Sequence, residues 1–208
     1  MAQLFEATDR DISEQMAFVS DIVIRSRNAA VAIVERFLPA VFNRASVAVH
    51  AELERIVTIF QQVAKVDNDS KLIKAGATTV LLKYLHSIAP DKLDERLAAS
   101  TLYGITVHSS EQVRFVHDHG MDILNMLSFS SSDDVIIYVA FVLAWLAKCL
   151  AVHKAMLDQG LKPMLLNLLR VQNVREKIVC VLLEMLKGDY AMSIADDAIL
   201  MLKVYVIY

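Results

Sequence analysis

The sequence predicts an all-helical array of stacked repeats, an α-solenoid, and three observations carry that reading. Segments spaced about forty residues apart each cross a glycine, at Gly76, Gly120 or Gly160, and then enter an apolar helix, which is the sequence mark of helical repeats. Apolar residues make up 56% of the 208-residue chain and recur at helical rather than alternating spacing. Only 5 Gly and 3 Pro occur, which suits a nearly all-helical body and leaves no room for a flexible linker.

Taken in order, residues 11–42 place Ile12, Met16, Val19 and Val23, then Val31, Val34, Phe37 and Leu38, at helical spacing on either side of a weak break at 26–28. Two helices are expected there, with Pro39 in the last turn of the second or kinking it. Residues 45–65 follow as one helix with Leu53, Ile56, Ile59, Phe60 and Val63 on its inner face. Residues 1–68 thus read as a degenerate first unit without a turn glycine.

The next unit spans 69–110. Asp69 or Ser70 caps a short helix that ends at Ala75, Gly76 turns the chain, 77–87 forms a second helix, 88–91 breaks it, and 93–107 forms a third. Ser109 or Ser110 caps the unit 111–151, which passes Gly120 to a loop at 130–133 and a helix from Asp134 to about Leu150. Its pattern is one residue shorter after Gly120.

The unit 152–190 uses a short helix at 152–158, Gly160, a helix at 163–169, a break at 172–173 and a helix at 174–186. Gly188 is expected to end that helix in the left-handed conformation of a C′ glycine. Residues 191–208 add an apolar terminal helix. Between crossing helices the chain must reverse sharply, and Gly takes positive φ without a Cβ clash. Pro163 belongs near the first turn of its helix, where the missing N–H has no partner to lose.

Net charge is −3 with scattered Lys and Arg, so the basic stripe that neutralises phosphates is missing and nucleic acid is not an expected partner. The two cysteines, Cys149 and Cys180, read as small hydrophobes inside apolar helical runs, and a reducing intracellular compartment is expected. Residues 1–16 carry Glu6, Asp9, Asp11 and Glu14 against Arg10, whereas cleavable secretory and mitochondrial signals start basic. Cytosolic, mitochondrial and ciliary assemblies all stay open.

Residues 135–147 are uninterrupted apolar, and the run resumes after Lys148 to Val152. A helix over 135–147 would span roughly 20 Å at 1.5 Å per residue, short of the roughly 30 Å hydrocarbon core. The central helix of a repeat, buried all round, has this composition too. A membrane-attached subunit with 135–152 in lipid is the rival reading.

Candidate chemistry is sparse. His117, Asp118 and His119 form a compact group of metal-capable residues, but neighbours two apart on a helix face different ways. No phosphate loop, nucleophile elbow or paired metal-ligand motif occurs in the sequence. No cofactor and no catalysis are expected. The acidic neighbours Asp94 and Glu95, or Asp196 and Asp197, read as solvated helix positions or caps, and the loop 128–134, with three consecutive serines before acidic residues, reads as a cap loop or a phosphorylation site.

The residues that follow the turn glycines resemble the armadillo repeat, whose three-helix units carry a turn glycine, often a proline three later, then paired leucines. Gly160, Pro163, Leu165, Leu166, Leu168 and Leu169 match that pattern, as do Gly76, Leu81, Leu82 and Leu85; Gly120 matches with the shortening noted. The resemblance covers about 69–186, and the first 65 residues are similar only in helix periodicity, as HEAT-like units also are. It implies a right-handed solenoid of about four to five units that binds proteins or extended peptides along a concave groove lined by the third helices.

Importin-α-like repeats carry a Trp and an Asn there, one turn apart. Those places fall on Ser100 and Gly104, on Phe141 and Trp145, and on Val181 and Met185, so the resemblance implies partner contacts at these residues without an asparagine ladder. A less polar groove suits a helix or an apolar segment. Leu202, Tyr205 and Tyr208 lie in an apolar stretch, 198–208, where a solenoid ought to present a polar cap, and a subunit or self-association contact is expected at that edge. The mean hydropathy of +0.44 points the same way, because a thin array exposes much of each unit. The function expected is therefore a non-enzymatic scaffold or adaptor, a subunit of a larger intracellular assembly, with a peptide-binding transport or signalling adaptor of the importin-α/β-catenin kind as an alternative.

Overall fold

The computed structural model describes residues 41–65, 71–88, 92–107 and 109–188, with isolated positions at 14, 18, 191, 192, 194–196, 199 and 203. Most of the expected helices over 11–42 and 191–208, and the caps Asp69 and Ser70, lie outside the described residues. Among the described residues a helical stretch at 41–45 is followed by α1 (His50–Ala64), α2 (Lys71–Ala75), α3 (Ala77–Ser87), α4 (Lys92–Thr106), α5 (Gln112–His117), α6 (Gly120–Ser128), α7 (Asp133–Ala147), α8 (His153–Asp158), α9 (Leu161–Leu168) and α10 (Arg175–Met185). Short 3₁₀ turns occupy Leu150–Val152 and Gln172–Val174. Among the described residues no strand occurs.

After α1 the helices come in triplets, short, medium and longer: α2 to α4, α5 to α7, α8 to α10. Like packs on like. The third helices α1, α4, α7 and α10 form one row, and the second helices α3, α6 and α9 form another. The core follows from the apolar stripes. α7 lies between α4 and α10 and over α6, so Val135, Ile136, Val139, Ala140, Val142, Leu143 and Leu146 are all buried. That sandwich explains a helix apolar on every side, and each fully buried large side chain there contributes about 1.5–3 kcal/mol.

The long apolar run is divided. Among the described residues no single helix is long and apolar enough to cross a membrane; α7 and Leu150–Asp158 together have the length and composition, but they meet at 105°. The corner is held by His153, whose fully buried ring donates from Nε2 to the Ala147 carbonyl at 2.7 Å. Gly188 packs against the same ring: a Cβ there would lie 2.6 Å from His153 Nδ1. The left-handed C′ conformation expected of Gly188 is not adopted; close approach, not backbone conformation, requires glycine here.

Two other expectations are corrected. The positive-φ residues among those described are Gly76 (φ 99°), Gly160 (φ 90°) and His119 (φ 69°), each the N-cap of a second helix. His119, not Gly120, makes the middle turn. Counted from these three residues, Leu81, Leu124 and Leu165 fall at the same offset, so the apparent one-residue shortening disappears. Gly120 is needed because a Cβ would lie 2.2 Å from Cε1 of Phe115 and 2.5 Å from the Phe115 carbonyl oxygen.

The single helix expected over 45–65 is broken at 46–49. Lys83, on the next unit, donates to the carbonyls of Ala45 (2.7 Å) and Ser46 (2.6 Å), satisfying the ends that a break would otherwise leave bare. Asn167 stands at the equivalent place in α9 and donates from Nδ2 to the carbonyl of Ser128, the last residue of α6. The middle unit has Met126 at that place. Arg114 of α5 similarly donates to the Lys74 carbonyl of α2 at 3.0 Å. The repeats are thus tied by donors reaching back about one unit as well as by apolar contact.

Candidate binding groove

Along the row of third helices, α1 and α4 approach closely because small residues face each other. A Cβ at Gly104 would stand 3.1 Å from the Ala64 Cβ. This pair is part of a groove of about 590 Å³ lined by Gln61, Ala64, Lys65, Ser100, Tyr103, Gly104, Val107 and Tyr138. Gln61 donates from Nε2 to Ser100 Oγ at 2.6 Å across the helix pair. Tyr103 and Tyr138 set their rings 5.5 Å apart, and Tyr103 meets Phe141 at the same separation. Lys177 of α10 places Nζ 4.6 Å from the centre of the Phe141 ring, a cation–π contact. An aromatic ladder with a cation at its end therefore crosses α4, α7 and α10.

The structure separates the residues expected in the groove into three groups. Ser100 and Gly104 line it, and Phe141 extends it with 37% of its surface exposed. Trp145, Val181 and Met185 are core residues instead. The Trp145 indole donates to the Ser109 carbonyl at 3.0 Å and meets Phe115 edge to face at 5.6 Å; Val181 and Met185 are fully buried. Leu202, Tyr205 and Tyr208 lie outside the described residues. Counted from the starts of α4, α7 and α10, the place of Ser100 and Phe141 falls on Leu183, which is exposed. Sequence reasoning missed Tyr103, Tyr138, Gln61, Lys65 and Lys177. The adjacent Tyr103-Gly104 pair and the Tyr138/Phe141 spacing of one helical turn were the signals available.

The remaining candidates have local partners. His117 Nδ1 faces Asp118 at 3.0 Å, while His119 Nδ1 faces Asp122 at 3.0 Å, so the two imidazoles attend separate carboxylates. Among the described residues no group of three metal-capable side chains converges. Asp94 accepts from the Tyr84 hydroxyl at 2.9 Å, and Glu95 accepts from the Ser130 hydroxyl. A phosphate on Ser130 would face the Glu95 carboxylate, a like charge that repels it. Asp196 is exposed. Cys180 is exposed on α10 rather than a small hydrophobe in the core, and Cys149 is half-buried after the end of α7.

One constellation that the sequence does not suggest joins Ser87, His50 and Asp94. His50 Nδ1 lies 3.0 Å from Ser87 Oγ, and its Nε2 lies 3.7 Å from Asp94. The Ser87 hydroxyl donates to the Tyr84 carbonyl at 2.7 Å, so its proton is directed away from the imidazole. His50 also stacks on Tyr84 at 5.5 Å. This arrangement ties α1 to α3 and leaves Ser87 without the base that a nucleophile needs.

No protein-family model and no curated protein matches the sequence. Solved structures do. A designed armadillo repeat protein in complex with the peptide (KR)4 superposes with a TM-score of 0.70 over 98% of this chain and 97% of its own, at 16% identity. Two engineered proteins superpose with TM-scores of 0.72 (16% identity, 99% of this chain and 88% of theirs) and 0.69 (23% identity, 89% and 78%). In fold the chain is an armadillo-like helical repeat solenoid.

Proposed function

We propose that the chain is a non-enzymatic interaction scaffold, a subunit or adaptor of a larger assembly, that receives a segment of a partner protein along the row α1, α4, α7 and α10. One observation carries the reading: a preformed groove with an aromatic ladder, Tyr103, Tyr138 and Phe141, held on rigid stacked helices. Partly exposed aromatic side chains on a rigid frame lose little entropy on binding and dominate contact energies. The complex of a designed armadillo repeat protein with a peptide supports a peptide-like occupant. A photo-crosslinking residue at position 138 should capture partner peptides in cells, and Tyr103→Ala should reduce their yield. Capture confined to positions on α3, α6 and α9 would overturn the groove reading. The apolar stretch 198–208 is proposed as a second contact. Light-scattering mass with and without those residues tests it, since an unchanged mass and unchanged co-purifying partners would rule the contact out.

A further inference from the structure

The charge and shape of the groove say more about its occupant, on the condition that the groove reading holds. Among the described residues that line it the charged one is Lys65, and no described lining residue is a carboxylate. The described hydrogen bond of Lys65 is to the neutral Gln62 side chain at 3.3 Å. At the other end of the aromatic ladder the next charge is again a cation, Lys177. Several carboxylates of the third helices have partners elsewhere. Asp94 and Glu95 lie in the first turn of α4, bonded to Tyr84 and Ser130, and Asp134 lies in the first turn of α7, paired with Arg96 at 3.1 Å.

Between the two lysines the surface offers ring faces over a floor of Ala64 and Gly104. That floor leaves depth for a large side chain, and the volume falls in the range of specific ligand sites. We infer that the groove is selective for acidic-aromatic segments: an extended partner peptide that lays an aromatic side chain against the touching rings of Tyr103 and Tyr138 and sets flanking carboxylates against Lys65 and Lys177. A basic segment would bring cations to two lysines with no acid among the described lining residues to receive them, and like charges brought together select against the wrong partner.

The test uses the full chain and fluorescein-labelled octapeptides of alternating Asp and Phe, alternating Lys and Phe, and alternating Lys and Arg, read by fluorescence anisotropy at two salt concentrations. The Asp–Phe probe should bind, weaken as salt rises, and lose about five- to tenfold in affinity with Lys65→Glu or Lys177→Glu. Lys65→Arg should bind as the parent does, and Lys65→Glu should gain affinity for the Lys–Phe probe. Lys65 is exposed and Lys177 half-buried with its Nζ over Phe141, and circular dichroism should show the fold unchanged in both variants. If the Lys–Phe probe binds as well as the Asp–Phe probe, and both depend on Tyr138, acid selectivity is overturned while the groove reading stands. If no probe binds, or if Tyr138→Ala leaves Asp–Phe binding intact, the inference falls, and the cross-linking experiment judges the groove independently.

Discussion

The turns before α6 and α9 reach the same backbone geometry by different means. At Gly160 a glycine sits at φ 90° with open space around it, the nearest atom to an added Cβ being Pro163 Cγ at 4.0 Å. At the middle turn a histidine carries the left-handed conformation at φ 69°, and the glycine stands one residue later, pressed against Phe115. One glycine supplies conformation and the other supplies room. A turn glycine in a repeat pattern is therefore two distinct requirements that coincide in the sequence and separate only in three dimensions.

Substitutions can break that comparison. Gly120→Ala should be the most damaging, costing about 3 kcal/mol or more, because its Cβ meets both the Phe115 ring and the Phe115 backbone oxygen, and overpacking against backbone has no cheap relief. A urea unfolding midpoint would show it. Gly76→Ala and Gly160→Ala should each cost about 1–2 kcal/mol through the left-handed backbone alone, with no change in packing. Equal losses at Gly120 and Gly160 would remove the distinction drawn here. His119→Gly should stabilise by up to about 1 kcal/mol, since it relieves the strain of a side chain at positive φ and gives up only an exposed contact to Asp122. At the smallest end, Lys65→Glu should leave stability within about 0.5 kcal/mol while changing which peptides bind.

The sequence made the repeats legible because their period is written in local terms, a turn followed by paired leucines. The second helix at 77–87 is found where the pattern puts it. What failed was decided by contacts about one unit away. Residues 46–49 break a helix that local propensity continues, because Lys83 arrives from the next unit to take the freed carbonyls. Trp145 reads as a groove residue from its spacing to Phe141, yet its indole finds the Ser109 carbonyl, 36 residues away in sequence, and turns inward. In α10 the family alignment selects Val181 and Met185, whereas the helix presents Lys177, Cys180 and Leu183 toward its more open side. Helix periodicity gives the phase between residues on one helix, but the absolute orientation of α10 is set by its packing on α7.

The interruption in the series of backward-reaching donors has a mechanical meaning. Lys83 and Asn167 rivet the second-helix layer at the first and last joints, while Met126 holds that place at the joint between α3 and α6 and has no N–H or O–H to offer. On the opposite layer the same joint is latched by Arg96 with Asp134 and by Tyr103 with Tyr138. Apolar packing of α3 on α6 and the Arg114 hydrogen bond to Lys74 hold the rest of this joint. The two tyrosines thus stand at a joint whose polar latch lies on the groove side, so the opening of the aromatic cleft is tied to the pair of units that the latch joins.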